Sequence, residues 1–213
     1  MNSRELRRHF QRLGVPYPAP RLYLRVFKDE AALELWAGPR DPRQALRKIK
    51  TYSICATSGV LGPKRRQGDL KVPEGFYRLT RFRRHTRFHR SMRVSYPNRL
   101  DRLRHRTGGA ILIHGKCCTV GCIPIEDGPI EELFRIARAT RRRYSRRPLS
   151  VHIYPLRMNA RGMSRLTRLA AGKPRLLAFW RDLEPAFRFF QASHHLPKVR
   201  VTRGARYEVT PWK

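Results

Sequence analysis

The chain has 213 residues and a mass of 25.1 kDa, and its 40% hydrophobic content is enough for one main domain with a sizeable core. It carries 48 Lys and Arg against 15 Asp and Glu, which gives a formal net charge of +33 and a pI near 11.6. A surface this positive attracts polyanions in a salt-dependent way. No stretch approaches the roughly 18 apolar residues of a membrane-spanning helix, so we expect no transmembrane segment.

The first 20 residues predict a helix followed by a linker. Residues 1–10 hold no apolar core of the kind found in secretion signals, so we expect no ordinary signal peptide in this chain. Residues 6–13 are typical of a short helix, and residues 14–20, with three prolines, are typical of a linker.

Short apolar runs bounded by turn residues predict a series of β-strands in the middle of the chain. We assign residues 21–160 to one domain of the α+β class that is mostly β. The predicted strands are residues 21–27, 32–37, 49–55, 75–81, 92–96, 110–114 and 151–154.

A helix is predicted to begin at residue 127. Asp127 can cap it, and Pro129 then lies in its first turn. The basic run at residues 138–147 suits the C-terminal end of this helix, because cations are favourable near the negative pole of the helix dipole.

The last third of the chain predicts a helical extension, residues 161–213, that ends in a β-hairpin. Aromatic and aliphatic residues recur there at helical spacing, which is typical of core packing. Pro185 is expected to break or kink this helix because proline removes a backbone hydrogen bond. Residues 198–202 and 206–210 are predicted to pair as the terminal hairpin.

An imidazole and a thiol lie eight residues apart in the segment 111–122. The apolar residues before His114 predict a buried strand, and glycines at 115 and 121 let the following chain turn back tightly. His114 and Cys122 can therefore meet in space. An imidazole that takes the proton of a thiol converts the thiol into a nucleophile, so this spacing favours cysteine acyl transfer.

Two other interpretations of the cysteines stay open at this point. A free cysteine is often a buried core residue, and we expect Cys55 to be a thiol within a core strand. A zinc site could draw on His114 and on the cysteines of residues 117–122. Structural zinc sites usually take their ligands from two separated pairs, however, and only one cluster exists here.

Several ordered motifs resemble the L,D-transpeptidase catalytic domain (YkuD-type) family of bacterial cell-wall enzymes, and in particular its murein-processing, YafK/DpaA-like branch. The pair His114-Gly115 and the run Thr119–Cys122 match the family signature of His-Gly followed by Ser/Thr-x-Gly-Cys. The resemblance covers about residues 21–160, and it implies a β-sandwich catalytic domain with a helix after the cysteine and helical additions at the C-terminus. The further stretches that fit this branch are residues 61–69, 73–77, 95–98 with Asp101, and, as a weaker match, 154–158.

Carried over position by position, the resemblance implies Cys122 as the nucleophile and His114 as its general base. The backbone carbonyl of Gly115 would orient the imidazole. Backbone N–H groups near Gly121 and Cys122 are expected to hold the developing oxyanion, and Thr119 belongs to the same signature. No metal or organic cofactor is expected.

The chain departs from most of this family at two positions. A histidine and an arginine are usual where this chain has Val120 and Pro124, so the substrate contacts from those positions are absent. The murein-processing branch shares such losses, which favours a different acceptor or leaving group.

The resemblance also implies the substrate and the place of action. The substrate is a peptidoglycan stem peptide, attacked at the L-centre of its diamino-acid residue and passed to an amine in cell-wall cross-linking or remodelling. The alternative is hydrolysis of a stem-peptide bond or of a link between a protein and peptidoglycan, in which case an envelope protein is a further partner. The family works in the periplasm or cell envelope.

Another group of residues is predicted to bind the substrate or to support the site. Positive side chains would orient a carboxylate-bearing peptide by charge, and the matching motifs add polar residues. These residues are Lys64, Arg65, Arg66, Asp69, Arg93, Tyr96, Asn98 and Asp101.

The net charge raises a hypothesis of a different class, nucleic-acid binding. In residues 81–90, basic side chains interleave with two aromatic rings that can stack on bases. The same alternation suits a half-buried strand that continues from residues 76–79, and no recognised nucleic-acid motif accompanies it. We therefore expect no specific nucleic-acid partner, and the sequence does not indicate an oligomeric state.

Overall fold

The computed structural model describes residues 2–144 and 149–210. No helix within these ranges has the length and apolarity to cross a bilayer. The helices are α1 (Ser3–Arg12), α2 (Arg99–Leu103), α3 (Asp127–Arg143), α4 (Ala160–Leu169) and α5 (Pro174–Ser193). The strands are β1 (Arg21–Phe27), β2 (Ala32–Gly38), β3 (Arg47–Ser53), β4 (Gly75–Thr86), β5 (His89–Val94), β6 (Leu112–His114), β7 (Ile123–Pro124), β8 (Leu149–Tyr154), β9 (Lys198–Val201) and β10 (Tyr207–Thr210).

Eight of these strands form one sheet, in the order β3-β2-β1-β8-β4-β5-β6-β7. β1 runs parallel to β8 and β6 runs parallel to β7, while the other neighbours are antiparallel. β9 and β10 pair in a separate hairpin near the C-terminus. The predicted α+β fold, mostly β, is confirmed.

Helices cover both faces of the central strands. On one face, Leu22, Leu24 and Val26 of β1 join a core that includes residues of α1 and α3. On the other face, Phe27 packs with residues of α4 and α5, among them Trp180. Because both faces are covered, six of the seven residues of β1 are buried, as is typical of a strand between two layers. The aromatic residues of α5 that recur at helical spacing, Trp180, Phe187 and Phe190, are buried core residues, as that spacing predicts.

The predicted cap of α3 is wrong, and so is the predicted break of α5 at Pro185, whereas a kink there stays a prediction. Asp127 does not cap α3, because its carboxylate accepts the backbone N–H of Lys116 at 2.9 Å, and the residue before the helix makes no side-chain cap. Pro185 does not break α5, which continues to Ser193. The buried apolar side chains around Pro185 outweigh the one backbone hydrogen bond that it removes. The end of the basic run predicted to close α3, residues 145–147, lies outside the described residues.

The interpretation of Cys55 as a core thiol is also wrong. β3 ends at Ser53, and Cys55 forms a disulfide with Cys117 across 62 residues of sequence. The other two cysteines, Cys118 and Cys122, are free. The bond fixes the segment between His114 and Cys122 to the segment that follows β3.

We expect Cys55→Ser to lower the free energy of unfolding by about 2–4 kcal/mol, because the disulfide closes a long loop in the unfolded chain. Chemical denaturation without reductant measures this loss. Cys118→Ser is the matched control, since Cys118 is an exposed free thiol, and it should change stability by less than about 0.5 kcal/mol. Equal stability of the two variants would contradict the structural role of the bond.

Candidate active site

The sheet register places His114 and Cys122 on one face of the sheet. In the parallel pair of β6 and β7, Ile113 lies opposite Ile123, so Leu112 aligns with Cys122 just before β7 begins. Side chains two residues apart in a strand share a face, and neighbouring strands lie about 4.8 Å apart. His114 is therefore a diagonal neighbour of Cys122, at roughly 8 Å between Cα atoms.

Two glycines shape the turn that joins these two residues. A Cβ atom on Gly115 would lie 2.4 Å from the Asp127 carboxylate, so only glycine fits there. Gly121 has a φ of +93°, which disfavours residues with a side chain. Thr119 closes the turn, because its hydroxyl accepts the Cys122 N–H and donates to the Cys122 carbonyl, both at 2.8 Å.

The imidazole of His114 is held with one nitrogen bonded and the other free. Nδ1 donates to the Gly115 carbonyl at 2.5 Å, which fixes the hydrogen on Nδ1 and leaves a lone pair on Nε2. Nε2 is buried and has no hydrogen-bond partner in the described part of the chain. The ring of Phe88 packs 4.5 Å from the imidazole. Burial lowers the pKa of His114, although the bond to Gly115 opposes that shift.

The thiol of Cys122 is half-buried and donates to the Ala110 carbonyl at 3.6 Å. Burial raises the pKa of Cys122, while a backbone hydrogen bond from Leu112 and the positive charges of Lys64 and Arg87 oppose the rise. A raised thiol pKa and a lowered imidazole pKa both favour neutral forms. At neutral pH the site therefore holds a protonated thiol beside an imidazole able to accept a proton.

Cys122 opens onto a cavity of about 600 Å³. Its walls come from the segment after β3, from the end of β1, and from α4 and α5. The polar side chains of Lys28 and Lys173 and the apolar side chains of Val60 and Leu176 lie around it. Its volume is within the range of ligand-binding clefts.

The backbone amides predicted to hold an oxyanion are already bonded in this structure. The Gly121 N–H donates to the Ser58 hydroxyl at 2.7 Å, and the Cys122 N–H donates to Thr119. Binding of a substrate oxygen by either amide would require it to exchange this partner, and the oxyanion role of residues 121 and 122 stays a prediction. Ser58 is a site residue that the sequence reasoning missed, because nothing in its local sequence relates it to residues more than 60 positions away.

The stretch predicted to carry positive substrate-binding residues is built around Asp69. Burial acts to raise the pKa of Asp69, but hydrogen bonds from the Lys64 ammonium and from three backbone amides outweigh it and lower the pKa to about 2. Lys64 is itself buried, with its nitrogen 2.6 Å from Asp69. The side chains of Arg65 and Arg66 are exposed, and their amides donate to Asp69.

Three other residues predicted to bind the substrate or to support the site make hydrogen bonds within the fold. Asn98 and Asp101 form a capping box at the start of α2, and Asp101 is fully buried with Tyr77 and Arg106 donating to it. The Tyr96 hydroxyl donates to backbone carbonyls. Asp101 has no accessible surface in this structure, so we expect it to act on the site through its contacts with neighbouring residues.

Arg93, by contrast, lies on the face of the sheet that carries His114. It pairs with Leu112 in the register of β5 and β6, and its half-buried side chain lines a second cavity of about 460 Å³. The structure thus brings Cys122, His114, Gly115, Gly121 and Thr119 together, with Arg93 two strands from Cys122.

A metal site formed by the predicted cysteines does not fit this arrangement. Cys117 is bonded to Cys55, so its sulfur is not available as a thiolate ligand. Among residues 2–144 and 149–210, three metal-ligating side chains approach within 4.8 Å of one another only at Cys55, Cys117 and Glu126, where two of the three are in the disulfide.

Comparison with known proteins agrees with this geometry. The L,D-transpeptidase catalytic domain (YkuD) family matches residues 25–153. The protein YafK of Escherichia coli strain K12, whose name places it among the L,D-transpeptidases, is 34% identical over 191 residues, which are 89% of this chain and 74% of YafK.

Solved structures extend the comparison to the fold. The helical cell shape determining protein Pgp2 from Campylobacter jejuni superposes with a TM-score of 0.52 at 19% identity, over 85% of this chain and 72% of Pgp2. Its K307A mutant gives a TM-score of 0.53 at 24% identity, over 63% of this chain and 47% of that one. This chain therefore spans about half the length of the mutant chain.

The family match covers more than half of the 213 residues, and the identity to YafK extends over most of both chains. The chain belongs to the L,D-transpeptidase catalytic-domain family.

Proposed function

We propose that this chain is a cysteine acyltransferase that acts on peptidoglycan stem peptides. Cys122 is the nucleophile, His114 is the general base, and the Gly115 carbonyl orients the imidazole. The observation that supports this most is the buried lone pair of His114 Nε2, which has no partner in the described residues and lies on the sheet face of a thiol that borders a cavity. Family membership and the similarity to YafK support the same assignment.

The reaction proceeds in two acyl-transfer steps. The Cys122 sulfur forms a bond to the carbonyl carbon at the L-centre of the diamino-acid residue while its proton passes to His114 Nε2. The carbon–nitrogen bond then breaks, and the protonated imidazole returns that proton to the leaving amine. In the second step an amine attacks the thioester, gives up a proton through His114, and releases the thiol.

The geometry around Gly115 suits this role for His114. The bond from Nδ1 to the Gly115 carbonyl fixes the tautomer in which Nε2 accepts a proton, and it stabilises the imidazolium formed during attack. Phe88 on the ring limits its rotation. The nucleophile is activated during the reaction itself, because both groups rest in their neutral forms.

The disulfide supports an extracytoplasmic place of action. Structural disulfides persist in oxidising compartments such as the periplasm and are rare in the bacterial cytosol. The Cys55–Cys117 bond therefore agrees with a protein of the cell envelope, where peptidoglycan and any protein attached to it are found.

Muropeptide products test the proposed reaction. Purified protein incubated with stem-peptide muropeptides should give amine-exchange or cross-linked products, measured by mass spectrometry, and Cys122→Ala should abolish them. A covalent acyl adduct on Cys122 should appear in intact-protein mass spectra. If only cleavage products form and they depend on Cys122, the protein is a hydrolase and not a transferase. If products persist in Cys122→Ala, Cys122 is not the nucleophile.

The pH dependence of kcat/KM tests the role of His114. Protonated imidazole cannot accept the thiol proton, and burial holds the pKa of His114 below its ordinary value of 6.5. We therefore expect activity to stay high at pH 6.5 and to fall only at lower pH. His114→Gln should lower kcat/KM by about 10²- to 10⁴-fold, whereas the exposed His105→Gln should leave it within twofold. A fall in kcat/KM on the acid side with its midpoint above pH 6.5 would contradict the assignment of His114 as the general base.

A further inference from the structure

The sheet face that carries His114 and Cys122 continues into a face of arginines. Ser91 of β5 lies between Arg83 of β4 and His114 of β6 in the sheet register. Residues paired across neighbouring strands share a face, so these three side chains form one row. Arg93, Leu112 and Cys122 form the adjacent row. Each row has an arginine at one end and a member of the thiol–imidazole pair at the other.

A β-bulge explains why these arginines face the site. Leu79 pairs with Val94 and Phe82 pairs with Met92, so β4 carries one extra residue between these two pairs. Leu79, Val94 and Met92 are buried in the main core and Phe82 packs against it. The bulge therefore keeps Phe82 on the core face and turns Arg81 and Arg83 to the opposite face.

These arginines have no carboxylate partner in the described residues. They line the second cavity, of about 460 Å³, together with Arg87 and Arg93, and no carboxylate lines it. In the described part of the chain no acidic oxygen lies within 4.0 Å of the guanidinium groups of these four residues. Unpaired guanidinium groups around a concavity attract anions and bind carboxylates through paired hydrogen bonds.

The cavity is lined by two residues that contact the thiol and the imidazole. Ala110, whose carbonyl accepts from Cys122, and Phe88, whose ring packs on His114, both line it. Arg87 is also close enough for its charge to lower the pKa of Cys122. An anion held here therefore lies one layer of side chains from the reacting groups, in a cavity different from the one that Cys122 itself lines.

We propose that this arginine face is a subsite for carboxylates of the peptide that is acylated or of the amine that accepts it, with Arg83 as its main new member. The inference rests on the proposed function and adds the chemical class of group that the enzyme recognises beside the scissile amide. Arg83 lies two strand spacings from His114, about 10 Å between Cα atoms. An extended peptide advances about 3.3–3.6 Å per residue, so the recognised carboxylate lies within about three residues of the attacked carbonyl.

The size of this subsite favours a small carboxylate group over a nucleic acid. A single concavity of about 460 Å³ accommodates one or two residues of a peptide. A single-stranded nucleic acid needs a positive groove that follows its backbone over several nucleotides, with aromatic rings for successive bases. Phe88 packs against His114 and Phe82 packs against Phe134, so neither ring of the segment 81–90 is a free stacking platform.

Peptide binding is measured on the full chain carrying Cys122→Ala, because this variant can bind the peptide but cannot be acylated by it. The probes are a synthetic stem peptide with free carboxylates and the same peptide with those groups converted to carboxamides, measured by calorimetry at fixed ionic strength. Arg83→Gln should weaken binding of the carboxylate peptide about 10-fold and of the carboxamide peptide less than twofold. Arg84→Gln is the matched control, because it removes the same charge from an exposed neighbour on β4 that does not line this cavity, and it should weaken neither by more than twofold.

Measuring turnover distinguishes a failure of the proposed subsite from a failure of the proposed reaction. In the protein with Cys122 intact, Arg83→Gln should raise KM about 10-fold for the carboxylate peptide and leave kcat within about twofold. Equal effects of Arg83→Gln and Arg84→Gln, with turnover retained, would overturn the subsite alone. Binding that depends on Arg83 without turnover of any muropeptide would support the subsite and overturn the proposed reaction. Tighter Arg83-dependent binding of a short oligonucleotide than of the peptide would replace the carboxylate with a nucleic-acid ligand.

Discussion

The parallel pairing of β6 with β7 is the constraint on which the site depends. Two strands of three and two residues contribute few hydrogen bonds of their own, so the turn between them must be fixed by other contacts. Three ties attach it to the segment after β3: the Cys55–Cys117 disulfide, the Cys55 N–H to the Pro124 carbonyl, and the Gly121 N–H to Ser58. That segment covers the outer edge of β7. The alignment of Cys122 with Leu112, and hence its position beside His114, follows from contacts about 60 residues away in the sequence.

Because the site depends on contacts between distant segments, the sequence alone could predict only part of the fold and of the site. The strands β1, β2 and β8 are strongly apolar, and turn-forming residues bound them in the sequence. Their positions could therefore be predicted from neighbouring residues alone. The short strand β7 and helices α2 and α4 have too few periodic residues to give such a signal. The proposed roles of Cys122 and His114 follow from a motif. The disulfide of Cys55, the occupation of the Gly121 and Cys122 amides, and the arginine row depend on strand register, which sequence periodicity does not give.

The distribution of the few carboxylates shapes the positive surface. Of the 15 acidic residues, five are buried: Glu34, Glu74, Asp101, Glu132 and Asp182. These form internal ion pairs and hydrogen bonds that join distant segments. Glu74, for example, accepts from Lys28, the Gly62 amide and Trp180, and so links β1, the loop before β4 and α5. The ten acidic residues that are not buried are far fewer than the 48 Lys and Arg residues, so excess positive charge collects on exposed faces such as that of β4.

Burial of the site sets how the thiol can react. It raises the pKa of Cys122 and lowers that of His114, so a resting thiolate–imidazolium pair is disfavoured. In the proposed reaction, charge is created only when the sulfur attacks a carbonyl, and it then moves onto the substrate oxygen. The positive charges of Lys64 and Arg87 already oppose the rise in the thiol pKa, and the same charges stabilise negative charge that develops near the sulfur. A substrate carboxylate on the arginine face would offset part of that field. Recognition and activation therefore share one cation, Arg87, and under the proposal a bound carboxylate lies near Arg83, where it leaves the charges of Lys64 and Arg87 acting on the sulfur.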